Sequence, residues 1–291
     1  MPTGDLLTRD GQLQWCGLVL GAGTPFGWSN LEGWLDLPEA RESDIDRTGA
    51  HGSYPGQLLT GARTVTFTYV TKRLNRERFP TAIEALRRAT APAENPVEEP
   101  LVVRLHGRRW MALARCTKRA IPTDLAYSAG FATGAIEWRA TNPRLFELPQ
   151  QERSTRLATP GEGGLVFPAR FPLRLPQPEG GTVTVTNTGN AAAWPVWRVT
   201  GPVRGPVITE MSTGRRLAFD PEWTVPRGEV VEIDTDARTV LTADTHASRS
   251  HRLAIREWFP IPAGGQARVA FSAVEYSPAA ELSCLFHNTS M

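Results

Sequence analysis

The chain has 291 residues, of which 41% are hydrophobic, enough for about two domains with cores of their own. Its 32 basic and 30 acidic residues leave a formal charge of +2, which argues against a protein that grips nucleic acid through many phosphates. The N-terminus has no signal pattern and no apolar run approaches the roughly 20 residues of a membrane span, so we expect a soluble protein made in a cytoplasm.

The first distinctive segment is rich in glycine and runs from Cys16 to Pro38. An apolar stretch followed by Gly21-Ala22-Gly23 suggests a dinucleotide-binding turn, but Gly27 comes one residue late and no helical apolar stripe follows it. We therefore predict two short strands, at 18–20 and 30–35, joined by a turn in which glycine supplies positive φ.

The next segment, from Asp36 to Ala62, has no apolar period of its own. It nevertheless contains Ile45, Tyr54 and Leu58, and apolar side chains in such a segment need a surface to lie against. Two interpretations stay open. The segment contacts another chain, or it folds back on its own domain as an ordinary long loop.

Regular elements follow this segment. Val65, Phe67 and Tyr69 alternate with threonines, which predicts a half-buried strand over 63–70. A capping box that begins at Thr81 predicts one short helix, at about 81–90.

The first domain is expected to end at Leu148. Residues 101–105 and 109–115 flank a turn at His106-Gly107-Arg108 and are predicted to form a hairpin. Residues 131–140 are predicted to form a further strand.

Residues 149–181 differ in character, because prolines and glycines are frequent and the apolar runs are short. We predict a connecting segment there. Residues 182–291 alternate short strands and turns at a spacing typical of an antiparallel β-sandwich or jelly roll. The prediction is a mainly β fold, with a β domain and one helix over 1–148 and a sandwich over 182–291.

The reactive side chains match no known pattern of a metal or catalytic site. Cys16, Cys116 and Cys284 are far apart, and the histidines show no paired spacing, so we expect no metal, no cofactor and no enzymatic activity. Asp234 and Asp236 are the carboxylate pair considered for hydrolysis, but they lie at a strand-to-turn boundary where aspartate ordinarily bonds its own backbone.

Several segments, taken in order along the chain, resemble the distal tail proteins of long-tailed, siphovirus-type phages. They include the opening from Gly21 to Pro38 and the close of the first domain, Asn142-Pro143-Arg144-Leu145-Phe146. The turn and motif positions concerned are Gly21, Gly23, Gly33, Pro38, Asn142, Pro143, Gly189, Gly201, Gly214, Gly228 and Asp234. The resemblance implies a ring-forming N-terminal β domain followed by a galectin-like β-sandwich.

The resemblance also implies a structural role in the virion. The chain would form a ring, usually a hexamer, that joins the end of the tail tube to the baseplate or tail tip and lets DNA pass without specific binding. Ring closure needs contacts that repeat around an axis, and the first half should supply them. The assembly candidates there are Phe26, Trp28, Ile45, Tyr54 and Leu58.

Two alternatives stay open at this point. One is a different minor tail protein with a similar two-domain plan. The other is a carbohydrate-binding module, since jelly rolls commonly bind sugars on aromatic side chains. Such a module would use Trp194, Trp197, Trp223 and Trp258, although core packing is the ordinary role of tryptophan.

Overall fold

The computed structural model describes residues 3–71, 78–159 and 180–291. By its internal contacts the chain divides into two compact units, Met1–Leu148 and Pro149–Ser290, and each is described by itself below. Nearly all regular structure is β, which confirms the predicted fold class. Among the described residues, no helix is both long and apolar enough to span a membrane.

The N-terminal unit contains twelve strands and two helices in the described residues. The strands are β1 (Gln12–Trp15), β2 (Leu18–Gly21), β3 (Phe26–Glu32), β4 (Ala40–Glu42), β5 (Ile45–Asp46), β6 (Ser53–Tyr54), β7 (Leu58–Thr60), β8 (Arg63–Thr71), β9 (Glu99–Leu105), β10 (Arg108–Ala120), β11 (Thr133–Ala140) and β12 (Leu145–Leu148). The helices are α1 (Arg78–Ala89) and α2 (Leu125–Ser128).

One long strand organises this unit. The main sheet has the order β2-β1-β9-β10-β11-β8-β3, and β12 also pairs with β10. β10 pairs with β9 over Arg108–Ala114 and with β11 over Arg115–Ala120, with a bulge between Cys116 and Lys118. The bulge bends β10 and increases its twist. The first part of β10 therefore lies in the half of the sheet that contains β9, and the second part lies in the half that contains β11. The hairpin predicted at His106-Gly107-Arg108 is confirmed as β9–β10.

The core of the unit follows the predicted alternation. Val65, Phe67 and Tyr69 of β8 are fully buried, while the threonines between them are half-buried, which confirms the predicted strand. Burial raises the pKa of the Tyr69 phenol to about 12, because the charged form loses its hydration.

Helix α1 begins three residues earlier than predicted, at Arg78. Pro80 lies within its first turn, where a missing backbone N–H breaks no helical hydrogen bond. Phe79, Ile83 and Leu86 face the core, and the Trp15 indole donates to the Ala89 carbonyl oxygen at 2.8 Å. A second, single-turn helix at Leu125–Ser128 was not predicted.

The C-terminal unit contains thirteen strands in the described residues. They are β13 (Gln151–Arg156), β14 (Thr182–Thr186), β15 (Val196–Thr200), β16 (Val203–Arg204), β17 (Val207–Glu210), β18 (Arg216–Phe219), β19 (Thr224–Val225), β20 (Val230–Asp234), β21 (Thr239–Thr242), β22 (Leu253–Arg256), β23 (Gln266–Ser272), β24 (Glu281–Phe286) and β25 (Thr289–Ser290). A short 3₁₀ helix, Ser250–Arg252, precedes β22.

Two antiparallel five-stranded sheets make this unit the predicted β-sandwich. Their orders are β13-β24-β15-β20-β21 and β14-β23-β17-β18-β22. Trp197, Ile233 and Cys284 from the first sheet share one buried core with Ile208 and Phe271 from the second. Alternating inward and outward residues along each strand produce this arrangement.

The expected connecting segment, 149–181, needs correction in its first part. Gln151–Arg156 forms β13 and pairs with β24 over its whole length, so these residues belong to the sandwich. The strand is polar, and only Thr155 is buried, so hydrogen bonds to β24 hold it rather than an apolar face. Residues 160–179 of the expected segment lie outside the described residues.

Candidate assembly surface

The segment from Asp36 to Ala62 forms a narrow arm made of two successive hairpin ladders. β4 pairs with β7, and farther along the chain β5 pairs with β6. These four strands form two separate two-stranded sheets, apart from the main sheet. We call residues 36–62 the arm.

The arm has almost no buried surface. Every residue from 39 to 52 is exposed. Ile45 and Tyr54 face each other across the ladder formed by β5 and β6, and Leu58 lies in the ladder formed by β4 and β7. These three side chains are 69%, 62% and 65% exposed. The arm therefore presents a concentrated set of apolar side chains to solvent, although isolated two-stranded hairpins are marginal in water.

Local polar contacts maintain the shape of the arm. The backbone N–H of Gln57 donates to Ser43 Oγ at 2.8 Å, and Ser43 Oγ donates to the Gln57 carbonyl oxygen at 3.1 Å. One oxygen of the Asp44 carboxylate accepts from the backbone N–H of Gly56 at 2.9 Å. These bonds replace ladder bonds where the strand pairing is interrupted, so the two ladders continue as one arm.

A buried arginine fixes the root of the arm. Arg63 Nη1 donates to the carbonyl oxygens of Gly33, Trp34 and Asp36 at 2.6, 2.9 and 2.8 Å, and its Nε donates to the Pro143 carbonyl oxygen at 2.8 Å. Burial lowers the pKa of the Arg63 guanidinium, and the Asp36 carboxylate opposes that shift. One side chain thus ties both the start of the arm and the β11–β12 connection to β8.

The turn before the arm requires glycine. Gly33 has φ +77°, and a Cβ atom there would overlap the carbonyl oxygen of Thr64. This left-handed residue ends β3 at Glu32, which is why the strand expected at 30–35 occurs instead at 26–32. Its N–H donates to the Asp36 carboxylate at 2.7 Å. Pro38 is buried beside this root.

Two of the expected assembly residues lie in the core rather than on the arm. Phe26 is buried edge-on against Tyr69, with ring centres 5.2 Å apart, and the half-buried Trp28 packs on Phe67 at 5.4 Å. The reason is the two-residue period of β3, which places both aromatic rings on the face of the sheet that carries Phe67 and Tyr69 of β8. The exposed candidates are therefore Ile45, Tyr54 and Leu58 of the arm.

The N-terminal unit also carries an apolar groove that sequence reasoning did not predict. It has a volume of about 490 Å³ and lies between α1 and the two outermost strands of the main sheet. Leu18 and Val19 of β2 and Phe26 of β3 line one side, and Ala82 and Ala85 of α1 line the other. No periodic pattern reveals such a groove, because its walls are contributed by three separate elements.

The predicted turn positions lie at strand ends or between strands. Gly21, Gly23, Gly214 and Gly228 have positive φ. Gly189 and Gly201 approach neighbouring backbone closely, and Asn142 accepts a bond from the Arg144 N–H at 3.2 Å. Asp234 accepts from the N–H groups of Asp236 and Ala237, both at 2.9 Å, so it closes its own turn.

The four tryptophans of the sandwich do not form an exposed platform. Trp197 is fully buried beside Phe259, and Trp223 stacks on Phe219 with ring centres 4.8 Å apart. Trp223 and Trp258 pack against the core, and Trp194 is half-buried. Their arrangement favours the structural role over stacking on sugars.

Comparisons with known proteins give matches at the level of structure. No protein-family model and no curated protein matches the sequence. The crystal structure of the Dit protein of phage SPP1, described as a paradigm of the hub adsorption apparatus in phages that infect Gram-positive bacteria, matches with a TM-score of 0.66 at 10% identity. The match covers 96% of this chain and 99% of that one.

A second match supports the same architecture. A chain in the structure of the phage P2 baseplate, in its activated conformation with Ca, matches with a TM-score of 0.50 at 11% identity. It covers 92% of this chain and 93% of that chain. Over nearly its whole length the chain thus has the fold of the SPP1 Dit protein.

Proposed function

We propose that this protein is a structural component of a phage tail, located at the distal end of the tail tube. The observation that carries the proposal is the match to SPP1 Dit over nearly the whole of both chains. The protein would reside in the virion after synthesis in the host cytoplasm. It would join the tube to the baseplate or tail tip, in a structural rather than a catalytic role.

The arm supports assembly into a ring, which we take to be a hexamer. Fully burying an apolar side chain of this size stabilises by about 1.5–3 kcal/mol, so Ile45, Tyr54 and Leu58 together offer about 5–9 kcal/mol. Association opposes this with about 4–15 kcal/mol of lost freedom. The arm alone would therefore bind weakly, whereas a closed ring gains one such contact for every copy.

The balance of charge suits a ring through which DNA passes. A lumen with 6–10 phosphate contacts would bind DNA with an affinity that changes by about 10³–10⁵ with salt. Such a lumen would retard ejection. The net charge of +2 over 291 residues provides no excess of basic groups for a binding surface of that kind.

Negative-stain imaging and light scattering of the full chain test this proposal. We expect six-fold rings with a central hole, and we expect Ile45→Asp/Leu58→Asp to be monomeric because charge then replaces apolar surface on the arm. Leu125→Asp is the matched control, because Leu125 is 89% exposed on α2 and is not part of the arm. A monomeric parent protein, or rings that persist in the arm variant, would contradict the proposal.

A further inference from the structure

We infer that the apolar groove of one copy receives the arm of the neighbouring copy. The inference rests on the proposed ring and names the surface on which the ring would close. It makes the contact heterologous, with each copy giving an arm on one side and offering a groove on the other.

The chain's own arm does not fill the groove. Residues 39–52 are all exposed and Leu58 is 65% exposed, so these side chains are not buried in their own unit, and the Arg47 guanidinium over the Tyr54 ring, at 4.9 Å, is a contact within the arm. The groove walls, including Leu18 and Ala85, leave a volume of about 490 Å³, within the range that encloses a drug-sized apolar molecule. The N-terminal unit thus has both an exposed apolar arm and an apolar groove, and its own arm does not fill its groove.

Charge complementarity favours the arm as the occupant. From Asp36 to Ala62 there are five acidic residues and two arginines, giving a net charge of −3. Helix α1, which forms one wall of the groove, has three arginines and one glutamate, giving a net charge of +2. Opposite charges around an apolar contact steer the encounter and fix its register.

The groove also lies at the two edges of the main sheet. β2 pairs only with β1, and β3 pairs only with β8. Edge strands in natural proteins are usually covered, and an extended segment of another chain is one of the means of covering them. An arm built from short strands has the extended backbone that such a site accepts.

Crosslinking in the full chain tests the inference. Cys16 is exposed and Cys116 is half-buried, so Cys16→Ser/Cys116→Ser gives a suitable background, while Cys284 is buried. In that background Leu58→Cys/Ala85→Cys, treated with a short bismaleimide, should give a ladder of covalent oligomers. The matched control, Leu58→Cys/Glu94→Cys, places the second thiol at an exposed residue outside the groove and should give no ladder.

The outcomes separate this inference from the proposed function. If rings form but Leu58→Cys/Ala85→Cys gives no ladder of covalent oligomers, the inference is wrong and the proposed ring stands. A link within one chain, without an increase in mass, would show that the groove holds its own arm and would also overturn it. A protein that forms no oligomer would remove both.

A substitution within the groove gives a second readout. Ala85 is exposed on α1, so Ala85→Glu should preserve the fold while placing a bulky negative charge where the acidic arm would lie. We expect ring dissociation to become easier by about tenfold or more in concentration. Arg88→Gln changes the helix charge by the same amount outside the groove lining and should have a smaller effect. Equal effects of the two variants would contradict the inference.

Discussion

Arg63 and Pro143 are joined by a hydrogen bond of 2.8 Å from the guanidinium Nε to the carbonyl oxygen. The bond connects the turn after β11 to the residue that also holds the root of the arm. The direction in which the arm leaves the domain thus depends on one buried side chain, since the same guanidinium binds three further carbonyl oxygens.

We expect Arg63→Met to destabilise the protein by about 3 kcal/mol, because four carbonyl oxygens lose a charged donor in a buried site. Urea unfolding followed by fluorescence measures the loss. Arg139→Met is the control, since Arg139 is exposed in the neighbouring strand and should change stability by less than about 0.5 kcal/mol. Equal stability of the two variants would show that the root does not depend on Arg63.

Tyr69 should make stability fall in alkaline solution. Its pKa is raised to about 12 in the folded chain, above the value of about 10 for an unfolded chain. The stabilisation is complete below pH 10 and is lost as the pH rises toward 12, because the unfolded state releases its proton first. A difference of two pKa units corresponds to at most about 3 kcal/mol.

Melting temperatures between pH 9 and pH 12 measure this effect. Tyr69→Phe should flatten the alkaline decline relative to the parent chain. Tyr276→Phe, which alters an exposed tyrosine in the other unit, is the matched control. An unchanged decline in Tyr69→Phe would mean that other groups cause it.

Trypsin should cut the unassembled chain at Arg47 before it cuts at Arg153 or Arg156. Arg47 lies at the exposed end of the arm, whereas the other two arginines are hydrogen-bonded to β24 within β13. Mass spectrometry of timed digests identifies the order of cleavage. Earlier cutting at Arg153 would mean that β13 detaches readily from the sandwich.

Gly189→Ala should destabilise the sandwich by about 2–4 kcal/mol, since a Cβ atom at Gly189 would overlap the backbone of Thr289. Gly214→Ala is the control. Gly214 has φ +73° but faces open space, so only backbone strain of about 1 kcal/mol is expected there. Calorimetry of the full chain distinguishes the two, and a smaller effect at Gly189 would contradict the close approach.

Strands in which apolar and polar side chains alternate can be predicted from the sequence, whereas a polar strand held only by backbone hydrogen bonds cannot. Val65, Phe67 and Tyr69 identify β8 because one face is apolar. The polar strand β13 has no such face and was expected to be a connection. Phe26 and Trp28 are assembly candidates from the sequence, but the face on which their side chains lie depends on the register of β3 against β8, which a single sequence does not specify.

The strands of the arm are only two or three residues long, too short for an alternating pattern to reveal them. The absence of an apolar period indicates a segment without a core of its own. Such a segment can either contact another chain or fold back on its own domain, and the sequence does not distinguish the two. Side-chain bonds such as those of Ser43 and Asp44 give the segment its defined shape. These bonds join residues 12 to 14 positions apart, beyond the reach of local patterns.

The distribution of charge on the arm also bears on which assemblies are avoided. Asp44 and Asp46 lie on either side of Ile45, and Glu42 precedes them. Two arms brought side by side would set these carboxylates against one another, so symmetric pairing of arms is disfavoured. Acidic residues that flank exposed apolar groups also act as gatekeepers against indiscriminate aggregation. The arm can therefore remain exposed in a newly made chain and still bind a basic surface in preference to the arm of another copy.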